Sequence, residues 1–141
     1  MNKEFEQISL KPGFMKHNGG LLFKTISKNE YHFKTKINKN HLNAAGITHG
    51  GFIAAIIDAG AGTAAHKSAD QNPCVTISLE LKFISAVKLD QEIFGKAKIK
   101  KKTKSLIFLT CELSVSDKIV ATASGIWKIL NKKLPEAGPG G

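Results

Sequence analysis

The stretch that decides the fold is His49-Gly50-Gly51-Phe52-Ile53-Ala54-Ala55-Ile56-Ile57-Asp58-Ala59-Gly60-Ala61-Gly62-Thr63-Ala64-Ala65-His66. Its alanine content and its length favour helix over strand. A helix that is apolar on nearly every side has to be surrounded by the rest of its fold, so a central, buried helix is expected. The apolar run from Gly50 to Ile57 stops at Asp58, far short of the ~18 to 20 residues of a membrane span, so no membrane partner is expected.

Outward from the helix, the pattern changes to strands. Beyond Asp70-Gln71-Asn72-Pro73, the segments Cys74 to Ile84, Glu92 to Lys102, Leu106 to Ser116 and Ile119 to Leu130 read as long strands. Before the helix, Leu21 to Ser27 and Tyr31 to Ile37 alternate lysines with Phe23, Ile26, Phe33 and Ile37, with a hairpin expected at Asn29-Glu30. These elements specify an α+β fold, an antiparallel sheet of five or six strands wrapped around one long central helix. Residues 1–20 read as an N-terminal extension with a short helical pattern over Phe5 to Leu10, residues 21–130 as the domain, and residues 131–141 as a flexible tail.

A chain of 141 residues with 42% hydrophobic and 23% charged residues is expected to form one domain around one core. The net charge of +10 comes from 21 basic residues against 11 acidic ones, and all 21 are lysine. Base readout and bidentate phosphate clamping favour the planar guanidinium, so no nucleic-acid partner is expected. An electrostatic role toward a smaller anion such as coenzyme A remains compatible with the charge. Cys74 and Cys111 lie in apolar strand-like runs without disulfide density or zinc spacing, and read as buried thiols in a reducing cytoplasm. The opening Met-Asn-Lys-Glu-Phe-Glu lacks the basic start and apolar segment of a secretory signal, which again suggests a cytoplasmic location.

The loop that enters the helix, His41-Leu42-Asn43-Ala44-Ala45-Gly46-Ile47-Thr48-His49-Gly50-Gly51, carries the chemistry together with Asp58. A glycine pair that opens a helix leaves unpaired amides at the positive end of the macrodipole, open to close approach. An acyl carbonyl could be polarised there. Asp58 is a carboxylate inside an apolar run, where burial would make it more basic, as a general base or nucleophile requires.

This pattern resembles the signature of the hotdog-fold acyl-CoA thioesterases, in particular the phenylacetate-pathway (PaaI-like) type and relatives acting on fatty acyl-CoA. That signature reads His-x-Asn-x-x-Gly-x-x-His-Gly-Gly with Asp seven residues after the last Gly, and His41, Asn43, Gly46, His49, Gly50, Gly51 and Asp58 match it. The resemblance implies a hotdog fold and hydrolysis of acyl-CoA to a free acid and coenzyme A. It implies a site in which the Gly50 amide binds the thioester oxygen and Asn43 positions water or the carbonyl from the same chain. Asp58 and Thr76 would come from the partner chain, Thr76 standing where the family often has serine. His49 and Gly51 would border the substrate. Asp58 either activates water or attacks to form an anhydride, and both routes stay open.

Distance also argues for two chains. Gly50 and Asp58 are eight residues apart, about 12 Å along a continuous helix. An attacking group and an oxyanion donor both have to lie within roughly 3 Å of one carbonyl. A second copy with its helix antiparallel could complete each site. A homodimer is therefore the expected minimal unit, and the resemblance extends this to a homotetramer.

No metal or other cofactor is expected, because His41 and His49 lack a third ligand. Gly60-Ala61-Gly62-Thr63-Ala64-Ala65 fits the looser dinucleotide fingerprint, with Glu80 about 20 residues beyond Gly60. The strands-only remainder of the chain offers no further strand-helix-strand units for a parallel sheet, so that reading is set aside. A hotdog dehydratase ranks low, since it usually presents a catalytic His with the helix Asp. The alternative of another class is a hotdog protein that binds acyl-CoA without cleaving it, which Asp58→Ala distinguishes, because a binder has no turnover to lose.

Overall fold

The computed structural model describes residues 4–131. Strand β1 (Glu6–Gln7) and the one-turn helix α1 (Phe14–His17) precede strands β2 (Leu22–Ser27) and β3 (Glu30–Lys36), the long helix α2 (Gly50–Ser68), and strands β4 (Cys74–Phe83), β5 (Glu92–Lys102), β6 (Leu106–Val115) and β7 (Lys118–Ile129). The strands form one antiparallel sheet in the order β1-β2-β3-β5-β6-β7-β4. Seven strands therefore stand where five or six were expected. The addition is β1, whose two residues are too few to carry an alternating signal.

Three local expectations are corrected. Residues Phe5 to Leu10 form no helix: Glu6 and Gln7 pair with Phe23 and Leu22, and the short helix begins only after Gly13. The β2–β3 turn falls on Lys28 and Asn29, with Glu30 already in strand. Cys111 is buried as expected, but Cys74 is only half-buried. The tail expectation for 132–141 lies outside the described residues.

One face of the sheet is apolar and the other polar, as the period-2 sequences dictate. On β3, Tyr31, Phe33 and Thr35 are buried between Glu30, His32 and Lys34; on β6, Ile107, Leu109, Cys111 and Leu113 are buried between Phe108, Thr110 and Glu112. Helix α2 lies on the apolar face and buries Phe52, Ile53, Ile56, Ile57, Gly60, Ala61, Thr63, Ala64 and Ala65. Its opposite stripe is open in the single chain. Gly51 and Asp58 are exposed there, with Ala55 and Gly62 half-buried on the same face, so the expectation of a helix enclosed on every side holds only toward the sheet.

The two glycines of the dinucleotide-like motif lie in the middle of this helix, where aromatic rings approach them. A Cβ on Gly60 would stand 2.5 Å from the Phe33 ring, and one on Gly95 of β5 2.3 Å from the same ring. Phe33 is clasped between helix and strand. A Cβ on Gly62 would meet Trp127 Nε1 at 3.4 Å. Close packing accounts for Gly60, whereas a Cβ at Gly62 would make an ordinary contact.

Strand β4 is an edge, and its pairing with β7 shifts between Thr76 and Ser78. Cys74 and Thr76 stand opposite Ile129 and Trp127, whereas beyond the extra residue Ile77 it is Leu79 and Leu81 that stand opposite Gly125 and Ala123. The bulge switches which residues face the helix. As a result Thr76 and the two leucines all face inward, although Thr76 and Leu81 are an odd number of positions apart.

Candidate active site

The loop before α2 is built by its own side chains. Asn43 Oδ1 accepts from the N–H groups of Ala45 (2.9 Å) and Ile47 (3.3 Å), and Asn43 N–H donates to Ile47 O at 2.7 Å. Gly46 supplies the left-handed turn at φ +82°, which L residues adopt only with strain. With Oδ1 held by the backbone, the Asn43 Nδ2 amide is left as a donor.

His49 caps the helix. Its extended backbone (φ −61°, ψ 133°) precedes Gly50, and its Nδ1 accepts from Gly51 N–H at 2.8 Å. Phe52 N–H and Ile53 N–H both donate to His49 O. Of the first four amides of α2, Gly50 N–H alone has no hydrogen-bond partner among the described residues, and so is the donor that a bound oxyanion could take.

His41 is a structural histidine. It is 2% exposed, accepts from Asn38 N–H at Nδ1 (3.0 Å), contacts Asn18 O through Nε2 (2.6 Å), and stacks on Phe52 with ring centroids 3.7 Å apart. The bond from Asn38 N–H makes Nδ1 the acceptor, so Nε2 carries the proton and donates to Asn18 O. His41 thus ties the N-terminal segment to the loop and the helix, a role the sequence reading missed because its partners are far off in the chain.

Asn43 and Gly50 line one cavity of about 310 Å³, together with Ile47, Thr48, Ile53, Phe83, Ile84 and residues 85–87 and 120. Asp58 and Thr76 do not line it. They form a second group, in which Thr76 Oγ1 donates to Asp58 Oδ1 at 2.6 Å. Asp58 lies further along α2 on the open stripe, so it is exposed where burial was expected; the apolar residues around it in sequence face the sheet, and it faces away. The sequence-derived residues therefore separate into an amide-donor group at the start of the helix and a carboxylate–hydroxyl pair about 12 Å along its axis.

No group of three or more metal-ligating side chains occurs among the described residues, and no helix there is long and apolar enough to cross a membrane.

A family model described as the thioesterase superfamily matches residues 45–122, more than half of the chain. The chain belongs to the thioesterase superfamily. Its reaction class is thioester hydrolysis. The Pseudomonas aeruginosa protein called "Putative esterase PA0474" is 27% identical over 95 residues, 67% of this chain and 71% of that protein. Two solved structures share the fold. A variant of the phenylacetic acid degradation protein PaaI from Thermus thermophilus superposes with a TM-score of 0.75 at 21% identity, covering 82% of this chain and 97% of that one. A hypothetical thioesterase of Streptococcus pneumoniae with coenzyme A superposes at 0.74 and 16% identity, over 94% of this chain and all of the other. The antiparallel sheet around α2 is thus the hotdog fold of this superfamily.

Proposed function

We propose that the chain is an acyl-CoA thioesterase whose reaction centre is assembled from two copies. The observation that carries this reading is the separation just described, with Asn43 and Gly50 on the cavity and the Asp58–Thr76 pair on the open stripe of the same helix. A partner with α2 antiparallel would bring its Asp58 to the Gly50 of the first chain, and symmetry would make two such centres. The unpaired edge of β4 and its exposed Ile77 offer the apolar surface such an assembly would cover. A coenzyme A complex of a protein with the same fold supports coenzyme A as the thiol.

In this reading the thioester oxygen accepts from Gly50 N–H at the positive end of α2, and Asn43 Nδ2 holds the carbonyl or the incoming water. Asp58 Oδ1 is tied to Thr76, so Oδ2 takes a proton from water as the water oxygen attacks the carbonyl carbon. The tetrahedral adduct collapses with cleavage of the C–S bond, and the thiolate leaves with the proton returned by Asp58. Thioester and water become carboxylic acid and thiol, with no redox or metal step.

The test is a panel of aromatic and straight-chain acyl-CoA thioesters assayed for released thiol, with Asp58→Asn as control. Release by the wild type and a fall of about 10²-fold or more in the variant is the expected result. No release from any member, or equal release by the variant, overturns the reading.

A further inference from the structure

We infer that Phe83 selects the acyl group, and that the group selected is uncharged and of moderate size. The inference rests on the acyl-CoA reading of the Gly50 cavity. Phe83 is the last residue of β4, and its Cε1 and Cζ lie 3.6 and 3.7 Å from the position a Cβ on Gly50 would occupy. Gly50 and Phe83 line the same cavity, so an acyl group whose oxygen is held by Gly50 N–H has this ring in its wall. Phe83 is 61% exposed and Ile84 55%. Two large apolar side chains in succession at the mouth of a cavity are surface that an apolar guest would cover.

The walls behind them are apolar and fixed. Ile47, Ile53, Val87 and Val120 line the interior, and among the described residues no charged side chain does. Ile84 N–H and Ser85 N–H both donate to Val120 O, at 2.9 and 3.1 Å, while Thr48 N–H and Oγ1–H both donate to Val87 O at 2.8 Å. These bonds hold the backbone from 84 to 87, so the space available changes through side chains, Phe83 foremost. The cavity, about 310 Å³ in the single chain, is of the size that holds a small-molecule group. An arylacetyl or medium-chain acyl group fits that space. A second carboxylate at the far end of the acyl group would lose its water without gaining a partner.

Kinetics on hexanoyl-, phenylacetyl-, dodecanoyl- and succinyl-CoA test the inference in the wild type, Phe83→Ala and Phe83→Leu. The wild type is expected to prefer hexanoyl- or phenylacetyl-CoA to succinyl-CoA by at least about 100-fold in kcat/KM. Phe83→Ala enlarges the mouth, raising the dodecanoyl-to-hexanoyl ratio by about tenfold or more, with Phe83→Leu between. Phe83→Leu keeps an apolar side chain at the edge and carries the test if the alanine variant fails to assemble. Succinyl-CoA turned over as fast as hexanoyl-CoA, or ratios unchanged in both variants, overturns the inference while leaving the hydrolase reading intact. A wild type inactive on all four thioesters removes the acyl-CoA reading itself.

Discussion

The Thr76 hydroxyl donates its proton to Asp58 Oδ1 across 2.6 Å, joining strand β4 to the middle of helix α2. The bond fixes one carboxylate oxygen and leaves the other without a partner among the described residues. A hydrogen bond to a charged group contributes about 1.5–3 kcal/mol. Thr76→Val is expected to lower kcat/KM by roughly 10- to 100-fold, and Thr76→Ser, which keeps the hydroxyl, to restore most of it. Steady-state kinetics on one acyl-CoA decide the matter; equal activity in the valine and serine variants would show that the hydroxyl has no part in turnover.

Mixing two inactive variants tests the shared centre directly. Asn43→Ala removes the donor group of one half, and Asp58→Asn the carboxylate of the other. Unfolded together and refolded, they give about half heterodimers, each with one intact centre of two, so about a quarter of wild-type activity should return. Each variant refolded alone should stay inactive. No recovery in a mixture shown by mass to contain heterodimers would place both groups in one chain's centre.

Gly60→Ala sets two effects against each other. Within a helix the change ordinarily stabilises by about 1 kcal/mol, but here the added Cβ would stand 2.5 Å from the Phe33 ring, which Gly95 confines from the other side. Overpacking of this kind costs about 1–3 kcal/mol. The clash should win, and the urea midpoint should fall. A midpoint at or above that of the wild type would show that Phe33 can retreat.

Burial pushes the Cys111 thiol up to about 12, with Glu112 nearby adding to the shift. In the unfolded chain the thiol ionises near its ordinary value of 9.0. The native state therefore holds this proton where the unfolded state releases it, and the resulting stability is complete below pH 9 and lost as pH rises from about 9 to 12. Cys111→Ala should flatten the alkaline fall in denaturant midpoint relative to the wild type. Parallel pH profiles for the two proteins would count against it. At neutral pH the native thiol should also resist alkylation, and urea should release it.

Helix α2 and strands β4 to β7 were legible because their patterns are long: a run of alanine, glycine and isoleucine over 19 residues, then four alternating segments whose bounds the structure shifts by one residue or none. The short N-terminal elements were not, since Glu6 and Gln7 become a strand only through pairing with Phe23 and Leu22. Gly50 and Asp58 stood out as candidates by residue type and place on the helix, and Asn43 only through the family resemblance. Local spacing could not give the exposure of Asp58, which depends on which stripe of α2 the sheet covers. Nor could it give Phe83, which reads as an ordinary inward position at the end of a strand and meets Gly50 only in three dimensions.

The extra residue in β4 limits how this strand can vary. Drawing Ile77 into a regular ladder with β7 would set it opposite Trp127 and Thr76 opposite Lys128, so that Thr76 pointed away from Asp58. Inserting a residue between Leu79 and Leu81 would instead flip one of the leucines away from the core. A homologue that kept this length but evened out the strand would therefore have to find another hydroxyl for the carboxylate.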